Sequence, residues 1–268
     1  MTTTAGPTAE RYGDHLFHHG HPSEFARLSA MAAALDPGSR AHLTGRGVGP
    51  GWRCLDLGAG TGSVSRWLAE QVGDGGEIVA VDQDVRFLSG IEEGNVTVVE
   101  ADVTAEDFAP GRFDLVHARF LLMHLREREA FLARVVDWLR PGGWLVVSDA
   151  ADLGTPSSDN AAYRATMAAY WHAVAATLGS DITFGRRYPR PLAALGLGNL
   201  GVGVHFPVVA AGSGIAECWR LTLEQTRNHV LATGAVTAET IDETLRYLAA
   251  PTTWDLSLAM MTAWGRKV

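Results

Sequence analysis

Residues 53–62 read Arg-Cys-Leu-Asp-Leu-Gly-Ala-Gly-Thr-Gly, an apolar run that carries Asp56 and then breaks into glycines at alternating positions, Gly58, Gly60 and Gly62. Glycine tolerates left-handed backbone and lets a chain turn tightly against a ligand that a Cβ would hold away. A strand followed by such a loop predicts a small ligand lying close to the backbone. The dinucleotide pattern G-x-G-x-x-G does not fit, because Ser63 stands at its third position if Gly58 leads and Ser65 if Gly60 leads. A nicotinamide or flavin oxidoreductase is therefore disfavoured.

Further runs follow at regular spacing. Glu77-Ile-Val-Ala-Val-Asp82 is a buried-strand pattern with an acid at its carboxyl end, suited to accept hydrogen bonds from two ribose hydroxyls. Val96-Thr-Val-Val-Glu-Ala-Asp102-Val103, Phe113-Asp-Leu-Val-His-Ala-Arg119 and Leu139-Arg-Pro-Gly-Gly-Trp-Leu-Val-Val-Ser-Asp149 continue the series. Together with Asp-x-Gly-x-Gly-x-Gly at 56–62, these runs resemble the class I S-adenosylmethionine-dependent methyltransferases, of the small-molecule type that serves quinone and secondary metabolism. The resemblance covers about 210 residues well and implies S-adenosylmethionine as cofactor. Asp56, an acid inside an apolar strand, is expected to organise this loop or to meet the cofactor's amino group; Gly58, Ala59, Gly60 and Gln83 join the cofactor-binding residues, Asp82 takes the ribose, and the resemblance places Asp102 and Val103 at the adenine. It also puts Arg119 at the methionine end through its backbone, and lets Tyr12 or Arg27 from an N-terminal lid close over the methionine carboxylate, a bidentate partner for a guanidinium.

Alternating strands and helices from Arg53 to about Asp149 predict βαβ units and a parallel sheet with both faces covered. The expected fold is α/β: a doubly wound, mostly parallel seven-stranded, Rossmann-like sheet with its last strand antiparallel, plus an N-terminal helical lid and a helical cap insertion. The expected divisions are a lid at 1–50, a cofactor-binding core at 51–150, a cap at 151–200, and the rest of the sheet at 201–268 with substrate-side helices at 214–250. A first helix starts after Ser23, carries Phe25, Leu28, Met31 and Leu35 on one face, and is stopped by Asp36-Pro37-Gly38. Helices are expected at 63–72, about 84–91, 127–139, 160–178, 214–232 and 238–249. Strands are expected to run to Asp82, Asp102 and Ala118, and over 144–149, 201–211 and 256–264; the resemblance makes the last two an antiparallel pair.

A net charge of −8 without a Lys/Arg cluster argues against nucleic acid and anionic membranes as partners. Cys54 and Cys218 are too far apart in sequence for a metal or redox motif, which fits a reducing cytoplasm. No window reaches the 18 or so apolar residues of a membrane span. The chain is expected to be a monomer or homodimer acting on a small molecule, with no metal. The run His15-Leu-Phe-His18-His19-Gly-His21 resembles a metal tract, yet lacks acidic or Cys partners in ligand spacing, which leaves lid contact or a polar loop. His124, after the fourth strand, sits where related enzymes face the transferred methyl group, and is either a general base or a buried ring bonding a carbonyl. His18, Phe120, Tyr170 and Trp171 are the candidate substrate-pocket residues, the aromatic pair on the cap helix being core by its spacing or pocket by its place. The expected reaction is methyl transfer to a largely apolar acceptor, probed against a non-methylating, cyclase-type enzyme on the same fold.

Overall fold

The computed structural model describes residue 13, residues 16–18 and residues 20–268. Short runs of β-branched and aliphatic residues form the strands, and the central ones are buried on both faces, as a parallel sheet requires, while the edges are partly exposed. β1 (Arg53–Leu57), β2 (Glu77–Asp82), β3 (Val96–Glu100), β4 (Phe113–Arg119) and β5 (Leu139–Ala151) pair in parallel in the order β3-β2-β1-β4-β5. β9 (Ala259–Arg266) then runs antiparallel between β5 and β6 (Gly198–His205), completing a seven-stranded sheet. The doubly wound, mostly parallel architecture is thus the one the sequence predicts.

Two helical layers cover this sheet. α1 (Glu24–Thr44) and α2 (Ser63–Val72) lay Leu43, Val64, Leu68 and Val72 on Cys54, Ile78, Leu115 and Val146. On the opposite face α3 (Arg128–Asp137) and α5 (Pro189–Ala194) bring Phe131, Leu132, Val135 and Leu192 onto Leu55, Leu57, Val116 and Leu145. A third core joins α4 (Ala161–Leu178), α6 (Gly214–Ala232) and α7 (Ala238–Ala249) through Tyr163, Met167, Tyr170, Trp219, Leu223 and Ile241, and reaches Leu35 of α1. α4 begins where the sequence predicts, because the Asn160 side chain accepts the Tyr163 N–H. Within 151–200 only this helix belongs to that third core; Phe184, Tyr188 and Leu192 turn back beneath the sheet.

Several expectations need correction. α1 does not stop at 36–38 but runs through Pro37 to Thr44. Proline removes one helical hydrogen bond, and this loss is offset by burial of Leu35 and Leu43 and by the bonds that Asp36 and Ser39 receive from the sheet side. The helix expected at 84–91 is a single 3₁₀ turn at Val85–Phe87. Only Leu88 of its apolar residues is buried, too little packing to offset the cost of nucleating a helix. β3 ends at Glu100, before Asp102. The run 201–211 divides at Pro207, which has no N–H for a ladder; β7 (Val208–Ala210) pairs instead with β8 (Trp254–Leu256) in a separate two-stranded sheet. The expected strand at 256–264 is accordingly split between β8 and β9.

Candidate functional site

The loop between β1 and α2 is clamped onto the carboxyl end of β2. Gly58, Gly60 and Gly62 have φ of 67°, 57° and 74°, all left-handed. Gly58 and Ala59 donate their N–H groups to the Val81 carbonyl at 2.9 and 3.0 Å, and Gly60 donates to Asp82 Oδ2 at 2.8 Å. A Cβ on Gly60 would meet nothing within 4 Å, so the surface here is open, whereas one on Gly62 would stand 2.8 Å from the Ile91 side chain. Gly60 serves backbone conformation beside open space, and Gly62 serves packing.

Beside this loop lies a small cavity of about 50 Å³, walled by Gly58, Gly60, His117, Arg119 and Phe120 and covered by Leu28 and Met31 of α1. Asp56 reaches it from β1 and is 2% exposed. Its Oδ1 stands 2.8 Å from His117 Nδ1, and its Oδ2 accepts the Ser65 hydroxyl at 2.6 Å. Asp56 and His117 are register partners on adjacent parallel strands, which puts the two side chains on one face. The sequence assigned Asp56 to the glycine loop or to the cofactor and passed over His117. The signal for His117 was available, since a polar ring inside an otherwise apolar strand needs a buried partner.

The remaining cofactor-binding positions spread around the same strand ends. Asp82 is half-buried and takes a second N–H, from Asp84, at 3.2 Å. Gln83 is exposed next to it. Asp102 lies in a turn, its Oδ1 accepting the N–H and hydroxyl of Thr104 at 2.9 and 2.6 Å, and Val103 is buried. The Arg119 side chain binds Asp36 at 2.9 Å and Ser39 at 3.0 Å, tying β4 to α1, while Ser63 at the start of α2 donates to the same carboxylate at 3.2 Å. Phe120 follows with φ of 56°, a strained conformation for an aromatic residue, stabilised by its N–H bond to the Ser148 carbonyl.

Other sequence candidates fall elsewhere. Arg27 is 4% exposed, forms a two-point ion pair with the fully buried Glu24 at 2.6 and 2.8 Å, and lies over the Phe17 ring at 4.5 Å. Tyr12, His15 and His19 lie outside the described residues. His18 is exposed, its Nδ1 accepting the Gly20 N–H. Tyr170 and Trp171 meet each other and Trp219 edge-on, with centroids 4.7 to 5.9 Å apart, and pack as core between α4 and α6. Among the described residues no group of three His, Cys, Asp or Glu side chains is placed to hold a metal.

The turn after β4 and the end of β5 beside it carry two strongly perturbed groups, His124 and Asp149. His124 Nδ1 lies 2.6 Å from the Ser180 hydroxyl; burial, reinforced by the charges of Arg27 and Arg128, pulls its ring down to about 3. Such a ring stays neutral and binds a proton weakly near neutral pH, which weighs, of the two readings of His124, toward the buried ring rather than the base. Asp149, at the carboxyl end of β5, is fully buried. Its Oδ2 accepts the Tyr188 hydroxyl and, at 3.0 Å, the Met123 N–H, while Oδ1 has no partner among the described residues. Burial raises its carboxyl to about 7 against these hydrogen bonds.

Residues 55–147 match the family model described as a methyltransferase domain. Methyltransferase str3 of Strobilurus tenacellus is 34% identical over 131 residues, 47% of this chain and 46% of its own length. The ubiquinone/menaquinone biosynthesis C-methyltransferase UbiE of Ectopseudomonas mendocina is 36% identical over 118 residues, 41% of this chain and 46% of its own. The chain spans about half the length of the curated relatives it matches. Among solved structures, phosphoethanolamine N-methyltransferase 2 of Haemonchus contortus, in complex with phosphomonomethylethanolamine and S-adenosylhomocysteine, is similar with a TM-score of 0.57 at 17% identity, covering 92% of this chain and 58% of that one. At that identity the likeness is one of fold.

Proposed function

We propose that this chain, which carries a class I S-adenosylmethionine-dependent methyltransferase domain, transfers a methyl group from S-adenosylmethionine to a small, largely apolar acceptor. The observation that carries this reading is the glycine loop: left-handed at Gly58 and Gly60, clamped to Asp82, and open where a side chain on Gly60 would stand. When bound, the cofactor supplies a methyl group made electrophilic by its sulfonium. The residues present fit it. Asp82 offers a carboxylate at the loop's edge, and a carboxylate, with about four lone-pair sites, can accept from ribose hydroxyls as well as from backbone N–H groups. Asp102 and Val103 stand at the next strand end for the adenine, and the cavity beside His117 and Arg119 receives the amino-acid end.

The chain's part in the reaction is to hold acceptor and cofactor together and to exclude water. Bringing two reactants into attack geometry is worth up to roughly 7–11 kcal/mol, so transfer can proceed without a side-chain base. A neutral His124 is consistent with that economy. The apolar side chains that face the loop's cavity, Leu28, Met31, Ala32 and Phe120 among them, suit an acceptor more like a quinone precursor or a bacterial secondary metabolite than a phosphorylated amine. The acidic balance of the chain speaks against nucleic acid as acceptor. The test is incubation with methyl-labelled cofactor and two panels, aromatic or polyketide-like acceptors and phosphoethanolamine. Label in the first panel alone is expected. Label only in phosphoethanolamine would overturn the apolar acceptor, and conversion of an acceptor without label would replace methyl transfer by a cyclase-type role.

A further inference from the structure

We propose that His117 recognises the α-ammonium group at the amino-acid end of the cofactor, an inference that rests on the cofactor reading above. Both oxygens of the Asp56 carboxylate are engaged, Oδ1 by His117 Nδ1 at 2.8 Å and Oδ2 by the Ser65 hydroxyl at 2.6 Å. A carboxylate only accepts, so Nδ1 carries the proton of this contact, and in that tautomer Nε2 presents a lone pair. That nitrogen is buried, with His117 only 2% exposed, and has no hydrogen-bond partner among the described residues. A buried acceptor without a partner is costly and marks a group held ready for a ligand. The ring lines the cavity beside Gly58 and Gly60.

The chemistry selects a cation. An acceptor nitrogen whose ring is backed by a buried carboxylate attracts a charged N–H donor and repels an anion. The cation on the same wall, Arg119, is engaged by Asp36 and Ser39. Asp56 therefore acts on the ammonium through His117, as the group that fixes the ring's tautomer and orientation, while Ser65 fixes Asp56. This assigns to the histidine the contact that the sequence left to the acid.

The experiment is calorimetric binding of S-adenosylhomocysteine, its deaminated analogue and its decarboxylated analogue to the full chain. Wild type is expected to lose at least about tenfold in affinity on losing the ammonium, the worth of one hydrogen bond from a charged donor. His117→Asn keeps a donor for Asp56 and removes Nε2; it should bind the amino and deaminated ligands within threefold of each other, with the carboxylate preference unchanged. His117→Gln, whose amide oxygen reaches further, should restore part of the discrimination. An unchanged penalty for deamination in His117→Asn, or loss of the carboxylate preference instead, overturns the inference alone. Absence of S-adenosylhomocysteine binding to the wild type overturns the cofactor reading and this inference with it. Should the variants not fold, the ¹⁵N resonance of His117 Nε2 in the wild type decides: it should shift with S-adenosylhomocysteine and not with the deaminated ligand, and an equal shift with both overturns the inference.

Discussion

Asp149→Asn should make the protein more stable at alkaline pH and leave it nearly unchanged at acid pH. Asp149 is 0% exposed, and burial moves its carboxyl from the ordinary 3.8 to about 7. A raised carboxyl binds its proton more tightly in the folded state. Its contribution is therefore fully present below 3.8 and is lost as pH rises through 7, with a slope of about 1.4 kcal/mol per pH unit between the two values. The whole interval spans about 4 kcal/mol, and the part between pH 5 and pH 8 is about 2.5 kcal/mol. His124 works in the opposite direction. Its ring, lowered to about 3, costs stability as pH falls from 6.5, so the two slopes nearly cancel in the wild type below pH 6.5. Only a comparison with the variant isolates the acid. Asparagine keeps an oxygen for the Tyr188 hydroxyl and the Met123 N–H. Urea unfolding of both proteins from pH 5 to pH 8 is the assay. A stability difference that stays flat within about 0.5 kcal/mol over that range would refute the placement of a strained, buried acid at the end of β5.

Asp82→Ala should raise the dissociation constant for S-adenosylhomocysteine at least about a hundredfold, because it removes two ribose acceptors at roughly 1.5–3 kcal/mol each and also releases the Gly60 N–H; calorimetry showing less than a threefold change would rule the role out. Gly60→Val places a β-branched residue at φ 57° beside the open face of the loop, and should abolish measurable cofactor binding while circular dichroism still reports the fold. His124→Gln should leave the pH profile of kcat between pH 6 and pH 9 unaltered, since the ring is already neutral throughout; loss of an ionisation from that profile would restore it as a base.

What the sequence made legible follows from how local each signal is. The glycine loop and the strand that ends at Asp82 could be read because a turn of that kind needs glycine and a buried strand needs an apolar run. The same holds for α4, whose start is written in Asn160. Pro37 misled because the bonds that carry α1 past it come from Arg119 and Ser63, residues distant in sequence. The setting of Arg27 was likewise out of reach, since its place in the sequence does not announce the buried Glu24 and the Phe17 ring around it. His117 and Asp56 are 61 positions apart, and only strand register joins them. Asp149 reads as one more strand-end acid; its raised carboxyl is a property of the layers that close over it.

The order of strands in the sheet sets an order of events in folding. β5 and β6 do not touch in the finished sheet; β9 lies between them and is made only after the whole of α6 and α7. Until residues 259–266 arrive, the chain holds a five-stranded parallel sheet whose longest strand, β5, is an unprotected edge, and a β6 with no neighbour in that sheet. Open apolar edges recruit other chains, and pairings between distant segments form slowly. The interval before β9 docks is thus the period of greatest exposure to aggregation, and a chain shortened ahead of residue 259 would remain in it permanently.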